Sequence, residues 1–593
     1  GVTSAATTET TKSTESASSS AGSETTATET ATETETTDDS GEPAPPPALH
    51  CPGDPSGICD PTPGAALQVG TATVSIVPAC YELWQDNDGD SKFDDHKEPF
   101  FDCGCDRLCP GDSGYVEADA GEQDGIFQTI WMAGFGHARA TLGPRTGEQG
   151  WFGADDGLWA RTVVLRQGES TVAIVALDVI GWFNGDVEKI RAMLAAQQVD
   201  VDYLLVHSTH NHEGPDTMGL WGIKLLETGY NESYAQQVRE AVVSSIKTSL
   251  AGLTDVDHMV VGEVDVGDFS ERGVANVIRD SRDPVVIDET LGAVAFVSGG
   301  GETVATLVNF GNHPETLADD NLYLTSDYVH ALRRTVEQGS QWPGGGGRAG
   351  VGGNCIFINA AVGGMMTTLG VAVQTPGGMA YKSASFEKAD AIGQHLGEMA
   401  LFALDDGEQV AGAQLNFQAQ AFSIVVENTA LQTMYDIGVI DREAEVDPDS
   451  GENRITTEMA LINLGPLQLL SIPGEIVPEL AIGGYDKSHV GSPSYSFIDP
   501  ENPNPPDIAS APEGPYLKER MGGTYRWLVG LGNDEIGYIL PEYNFELSAD
   551  LPYVDEPEGD HYEETNSLGP ATAAHLEAQA DRLLDWSKQN EGM

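Results

Sequence analysis

Two imidazoles stand two residues apart in Thr209-His210-Asn211-His212-Glu213-Gly214-Pro215. On extended backbone that spacing puts both side chains on one face, about 6 to 7 Å apart, so both can turn towards one centre. A third histidine, His313, follows in Asn309-Phe310-Gly311-Asn312-His313-Pro314, and an acid, Glu475, in Ile472-Pro473-Gly474-Glu475. Nitrogen and carboxylate donors of these kinds are what zinc accepts, and three protein ligands with one open position make a catalytic zinc site. A lone histidine is more often a satisfied core residue. His50, His96, His137, His258, His330, His395, His489 and His575 are therefore read as structural.

Each candidate follows an apolar run of strand length. Tyr203 to His207 leads into His210, Thr306 to Phe310 into His313, Leu467 to Ile472 into Glu475, and Thr171 to Leu177 into Asp178. In α/β sheets the carboxyl ends of strands form the rim where loops converge on a ligand. Asp178 could fix a histidine tautomer there or simply cap its strand. From about Phe127 such runs alternate with amphipathic segments, an α/β pattern. Thr162 to Leu165 and Thr171 to Leu177 predict a hairpin around Gln-Gly-Glu-Ser. Helices are expected from Asp186, as cap, to about Gln198, and over 232–250, 327–338, 385–404 and 571–588. Asn231-Glu-Ser233 fits a glycosylation sequon by pattern only and is discounted.

Charge excludes several classes. The 593 residues carry 93 acids against 29 bases, a net charge of −64, which repels nucleic acid and anionic membrane surfaces. No uncharged apolar run is long enough for a membrane-spanning helix. Residues 1–48 are Ser, Thr, Glu and Ala with almost no large apolar side chain, so they are expected to be a disordered acidic tether. A start at Gly1 fits a removed signal, and the tether would suit a lipid anchor on a residue before it. The expected location is secreted or cell-envelope, with a plain secreted leader as the alternative.

Residues 49–125 read as a small Cys- and Asp-rich module. Cys51, Cys59, Cys80, Cys103, Cys105 and Cys109 suggest disulfides whose pairing the sequence leaves open. The Cys-x-Cys-x3-Cys run at 103–109 could instead hold a metal, although its spacing fits no standard zinc pattern. Cys355, alone in an apolar strand, is expected to be a buried small hydrophobe. Among the cysteines Asp86, Asp88, Asp90 and Asp94 alternate in a run ending at Glu98, so their oxygens could converge on Ca2+. The run resembles the Asp-rich calcium repeats of thrombospondin type 3 and dockerin modules, with Ser91 where a Gly is usual; a solvated acidic loop is the alternative.

Taken together, several separated motifs resemble, in order, those of the neutral ceramidases, zinc amidases that cleave the N-acyl bond of ceramide. Met132-Ala-Gly-Phe-Gly136 and Asp156-Gly-Leu-Trp-Ala-Arg161 resemble the family's opening. Thr209 to Pro215 stands where members have Thr-His-Thr-His-Ser-Gly-Pro, and Asn276 to Ser281 looks like the segment with the substrate-contacting arginine, here Arg279. His313, Ser326-Asp327 and Glu475 match later motifs, Asn533 to Tyr538 looks like the tyrosine-ligand segment, and Tyr562 resembles a later substrate-contacting tyrosine. Coverage runs from about Gln128 to Pro570. The resemblance implies an α/β, mixed-sheet zinc hydrolase body with helices packed on the sheets over 126–593. It implies Zn2+ held by His210, His313, Glu475 and Tyr538, His212 orienting the substrate or taking a proton from water, and Arg279 and Tyr562 holding substrate oxygens. The implied substrate is a lipid amide, and the implied activity an amidohydrolase.

The departures bear on substrate choice. The family's Gly-Asp-Val-Ser-Pro-Asn is replaced by Gly363-Gly364-Met365-Met366-Thr367-Thr368, which removes the serine once favoured as nucleophile. Glu213 replaces a serine, Pro541-Glu-Tyr543 replaces Glu-Glu-Tyr, and no C-terminal immunoglobulin-like domain is expected in the little chain that follows the last motif. Two alternatives follow: an amidase or esterase for a different acyl substrate, or an inactive surface protein that keeps the fold for binding.

Overall fold

The computed structural model describes residues 49–50, 65–145, 156–448, 451–559 and 561–590. Residues 1–48, with the expected tether, and Cys51 and Cys59 lie outside the described residues. The contacts divide the chain into Gly1–Pro45 and Pro46–Met593, and every element below belongs to the second unit.

A nine-stranded mixed sheet runs in the order Asn354–Asn359, Thr303–Phe310, Thr290–Ser298, Thr254–Asp265, Leu67–Ser75, Trp159–Gln167, Ser170–Leu177, Tyr203–Ser208, with Glu408–Val410 paired to the side of Thr254–Asp265. The two outermost pairings are parallel and the rest antiparallel. The sheet curls until its edges meet. The Asn359 side-chain amide, beyond one edge strand, donates to the Thr209 carbonyl beyond the other at 2.8 Å. A second sheet of Leu415–Val425, Asn453–Leu464, Leu467–Ser471 and Tyr525–Val529 packs against the first through the largest apolar core, in which Val163, Leu205, Leu307 and Ile356 meet Phe417, Ile462 and Leu469. Inward residues alternate along its longest strand, Leu415, Phe417 and Ala419 being buried, as a half-buried strand requires.

Helices cover the outer faces. Tyr328–Gln338 and Phe386–Asp405 pack over one part of the large sheet, and Asn184–Ala196 and Glu232–Ala251 over another. Thr572–Asn590 lies against the second sheet. These ranges follow the amphipathic segments of the sequence closely, and the hairpin occupies Trp159–Gln167 and Ser170–Leu177. Asp186 does not cap its helix. That helix begins at Asn184 after Phe183, and Asp186 in its first turn instead pairs with the buried Arg239 at 2.5 Å and with Lys189 at 3.0 Å. Asn231, in the discounted sequon, caps the next helix by accepting from Tyr234 N–H at 3.1 Å.

The module boundary also shifts. Leu67–Ser75 is an inner strand of the large sheet, paired on both sides, so the body begins well before residue 126. The Cys- and Asp-rich segment is an excursion between this strand and its partner Trp159–Gln167, anchored by Trp84, Phe93, Phe127 and Trp131 around Leu322. Cys80 pairs with Cys105 and Cys103 with Cys109, which removes the thiolates a metal at 103–109 would need. Cys355 is buried. Among the described residues, no helix is long and apolar enough to cross a membrane.

Candidate metal centre and its pocket

His210 follows the edge strand Tyr203–Ser208, where the chain leaves the sheet with a left-handed backbone at φ 65°. A non-glycine residue is rarely held so unless its surroundings enforce it. Its Nδ1 lies 2.6 Å from the Ile180 carbonyl. A carbonyl only accepts, so Nδ1 carries the proton and Nε2 is left as a lone-pair donor. His313 is fixed the same way, with Nδ1 2.7 Å from the Met366 carbonyl. Both Nε2 atoms then lie 3.2 Å from Glu475 Oε2, without the alignment of a hydrogen bond. That is the geometry of three donor atoms facing a common point.

His212 completes the cluster. The donor atoms of His210, His212 and His313 lie within 4.8 Å of one another, with ring centroids 4.6 to 5.4 Å apart. Its Nδ1 stands 3.6 Å from Glu315 Oε2, and neither ring nitrogen makes a hydrogen bond among the described residues. Gly134 explains why the opening motif carries a glycine: a Cβ there would stand 2.4 Å from the His212 ring, and the backbone has φ 95°. Phe135 packs edge-on to the same ring.

Electrostatics separate the roles. Burial, reinforced by His210 and His313, holds the His212 imidazole well below the ordinary histidine range. Burial opposes ionisation of Glu475, but His210 and His313 outweigh it and hold its carboxyl below the usual carboxylate range. Burial and then the Glu475 charge push the Tyr538 phenol well above its ordinary value. Glu213 is buried against Arg139 at 3.0 Å and accepts from Asn321 at 2.8 Å; burial pushes its carboxyl up to about 8 against the pull of Arg139.

The other sequence candidates fall as follows. Tyr538 pairs with Glu475 in a short parallel ladder, which sets the two side chains beside each other, and its hydroxyl meets Met365 Sδ at 3.4 Å. Tyr562 stands at the mouth, 41% exposed, its ring 6.0 Å from that of Tyr538. Arg279 pairs with Thr367 across a two-residue ladder and does not line the pocket. Asp178 orients no histidine: both its oxygens hold the buried Arg333 at 2.8 Å, and it takes the Thr209 hydroxyl at 3.3 Å, bracing the backbone just before His210. The oxygens that do orient the histidines belong to the backbone of Ile180 and Met366, where no side-chain pattern could announce them. Glu315, two residues past His313, was open to sequence reasoning and is an addition. The Gly363 to Thr368 segment, without its serine, supplies the Met366 carbonyl, and Thr367 donates to Glu315.

In the Asp-rich loop, oxygens of Asp86, Asp88 and Glu98 approach one another. Asp90 and Asp94 do not join them, because Asp90 accepts from Lys92 N–H at 3.0 Å and Asp94 is taken by His96 N–H at 2.9 Å and Lys97 at 2.8 Å. Calcium there has no support beyond the sequence pattern.

His210, His212 and Glu475 line a pocket together with Ile180, Phe183, Met218, Trp221, Leu431 and Ile440. No protein-family model matches the chain, and no curated protein matches it. Solved structures do. A neutral ceramidase from Pseudomonas aeruginosa superposes with a TM-score of 0.53 at 14% identity, covering 88% of this chain and 75% of that one. A ceramidase complexed with C2 gives a TM-score of 0.53 at 14% identity, covering 88% and 76%. The chain has the neutral ceramidase fold. At this identity the likeness establishes the architecture, and within the ceramidase fold the two sheets and the loops at their rim are what bring His210, His313 and Glu475 together.

Proposed function

We propose that this chain is a zinc-dependent hydrolase that cleaves the N-acyl amide bond of ceramide or a similar lipid amide. The observation that carries the reading is the convergence of His210 Nε2, His313 Nε2 and Glu475 Oε2 at the end of an apolar pocket. The donor set fits zinc: two imidazoles oriented by carbonyls through Nδ1, an ionised carboxylate, and an adjacent phenol in Tyr538. His210, His313, Glu475 and Tyr538 would hold the ion. When bound, zinc supplies a Lewis acid that polarises a carbonyl and acidifies water.

The chain's own residues do the rest. His212, neutral and without a hydrogen-bond partner, takes a proton at Nε2 while Glu315, beside Nδ1, favours the charged ring that results. The apolar wall from Ile180 to Ile440 binds an aliphatic chain and excludes water from the cluster. Tyr562 at the mouth offers a hydroxyl to the amide or head-group oxygens. An acidic surface and the absence of a spanning helix among the described residues suit an exported protein, secreted or held at the cell envelope.

The test is hydrolysis of a panel of fluorescent long-chain amides and esters by purified protein, with and without chelator. Amide cleavage that stops on chelation and returns with zinc is the expected result. Zinc binding without turnover of anything in the panel would make the chain a binding protein of the same fold.

A further inference from the structure

The pocket holds one polar group that the proposed hydrolysis does not use. Glu535 is buried at 3% exposure and lines the pocket beside Ile180, Met218 and Trp221. Its Oε1 accepts from Gly537 N–H at 2.8 Å, while Oε2 has no hydrogen-bond partner among the described residues. A buried carboxyl oxygen left without a partner costs the fold stability, so its retention calls for a ligand.

The side chain is also held in place. On one side Asp534 clamps Arg442 through both oxygens at 2.7 and 2.6 Å and accepts from Asn184 N–H at 3.1 Å. Beside it Asn533, in a left-handed conformation at φ 60°, bridges to Val206 of the edge strand through its backbone N–H and side-chain oxygen, each at 2.7 Å. Glu535 lies over Gly181, where a Cβ would come within 2.9 Å of its Cγ, so this close approach depends on glycine. Gly181 follows Ile180, whose carbonyl orients His210. The free oxygen therefore stands where the apolar wall meets the histidine cluster, the stretch that would receive the atoms nearest a scissile amide.

We propose that Glu535 is a specificity-determining residue: its free Oε2 forms a hydrogen bond with a hydroxyl on the lipid chain entering this pocket, so the site selects hydroxylated N-acyl amides over their deoxy counterparts. Glu535 is not one of the clustered metal-facing residues. An apolar pocket with one fixed polar group discriminates because a deoxy ligand leaves that group buried and unpaired, whereas a hydroxyl, which can donate or accept, satisfies it. The hydroxyl could sit on the acyl chain or on the amine-side chain, and the test separates these sources. The kinetic arm rests on the proposed amide hydrolysis; the binding arm does not.

The zinc-loaded protein is assayed on matched amides carrying one hydroxyl near the amide on the acyl chain, one on the amine-side chain, or none. In parallel, calorimetry measures binding of uncleavable long-chain ureas with the same substitutions. The parent should prefer one hydroxylated series by about 10- to 100-fold in kcat/KM and in Kd, the range of a hydrogen bond to a carboxyl group. Glu535→Leu should bring that ratio near one. Glu535→Gln keeps an oxygen for Gly537 N–H and puts an amide donor where Oε2 was, which a hydroxyl oxygen can still meet, so it should keep part of the preference while matching the parent in zinc content and melting temperature. A parent ratio near one in both arms, or an unchanged ratio in both variants, overturns the assignment. If no amide is cleaved but the ureas keep the ratio and Glu535→Leu abolishes it, Glu535 stands as the selecting residue and the hydrolase reading fails instead.

Discussion

Two places in the described chain bring acids or imidazoles close enough to share an ion, and they are built in opposite ways. In the histidine centre the residues come from loops far apart in sequence, all are buried, and the atoms facing one another have been left without partners while their opposite atoms are fixed by Ile180 and Met366. In the Asp-rich loop the residues are near neighbours, Asp88 is exposed, Asp86 half-buried and Glu98 buried, and two of the three carboxylates are already engaged by nearby backbone. Asp86 takes Gly89 and Ser91 N–H, and Glu98 takes Asn87 and Asp94 N–H. Burying unpaired donors is costly and persists where something repays it, whereas an exposed loop that satisfies itself needs no ion to explain its shape.

Substitutions can break this contrast. The largest effect is expected at the centre: His210→Ala or His313→Ala should lose zinc and lower kcat/KM by about 1,000-fold or more, measured on metal-analysed protein, because each removes one of the oriented donors that would hold the ion. Next comes the buried pair behind the cluster. Arg139→Met leaves the Glu213 side chain with only Asn321 and should cost about 1 to 3 kcal/mol in urea unfolding, through the lost buried hydrogen bonds.

A third test uses a histidine outside the cluster. His207 is fully buried, and burial, with a smaller push from Arg333, holds its imidazole down to about 4. Above pH 6.5 it is neutral both folded and unfolded and costs nothing. As pH falls from 6.5 towards 4 the unfolded chain takes the proton and the folded one does not, so stability is lost, about 2 kcal/mol by pH 5. Urea unfolding of His207→Phe at pH 7 and pH 5 should show a fall smaller by that amount than in the parent. The smallest effects belong to the Asp-rich loop. Glu98→Gln should cost about 1 kcal/mol through its two backbone N–H partners and Asp90→Asn less than about 0.5 kcal/mol, both with zinc content unchanged.

Much of this was legible in the sequence, for reasons particular residues make plain. The helix at Phe386–Asp405 announces itself because Ser385 caps it and apolar residues recur at helical spacing. His210, His313 and Glu475 are recognisable because each ends an apolar run, where α/β folds gather their ligands. The curl of the large sheet was not legible, since it depends on Asn359 reaching Thr209 across the whole sheet. Leu67–Ser75 was assigned to the wrong unit because the long Cys-rich excursion separates it from its partner strand. The carbonyls that orient the histidines carry no side-chain identity, and Glu535 stood out only once Oε2 was seen without a partner.

The central claim is that His210, His313 and Glu475 converge on one zinc ion, and metal analysis of purified parent, His210→Ala, Glu475→Ala and Asp88→Asn proteins tests it most directly. The account predicts one zinc per chain in the parent and in Asp88→Asn, and none in the other two. Zinc retained in His210→Ala and Glu475→Ala, or absent from a folded parent supplied with it, would contradict the account.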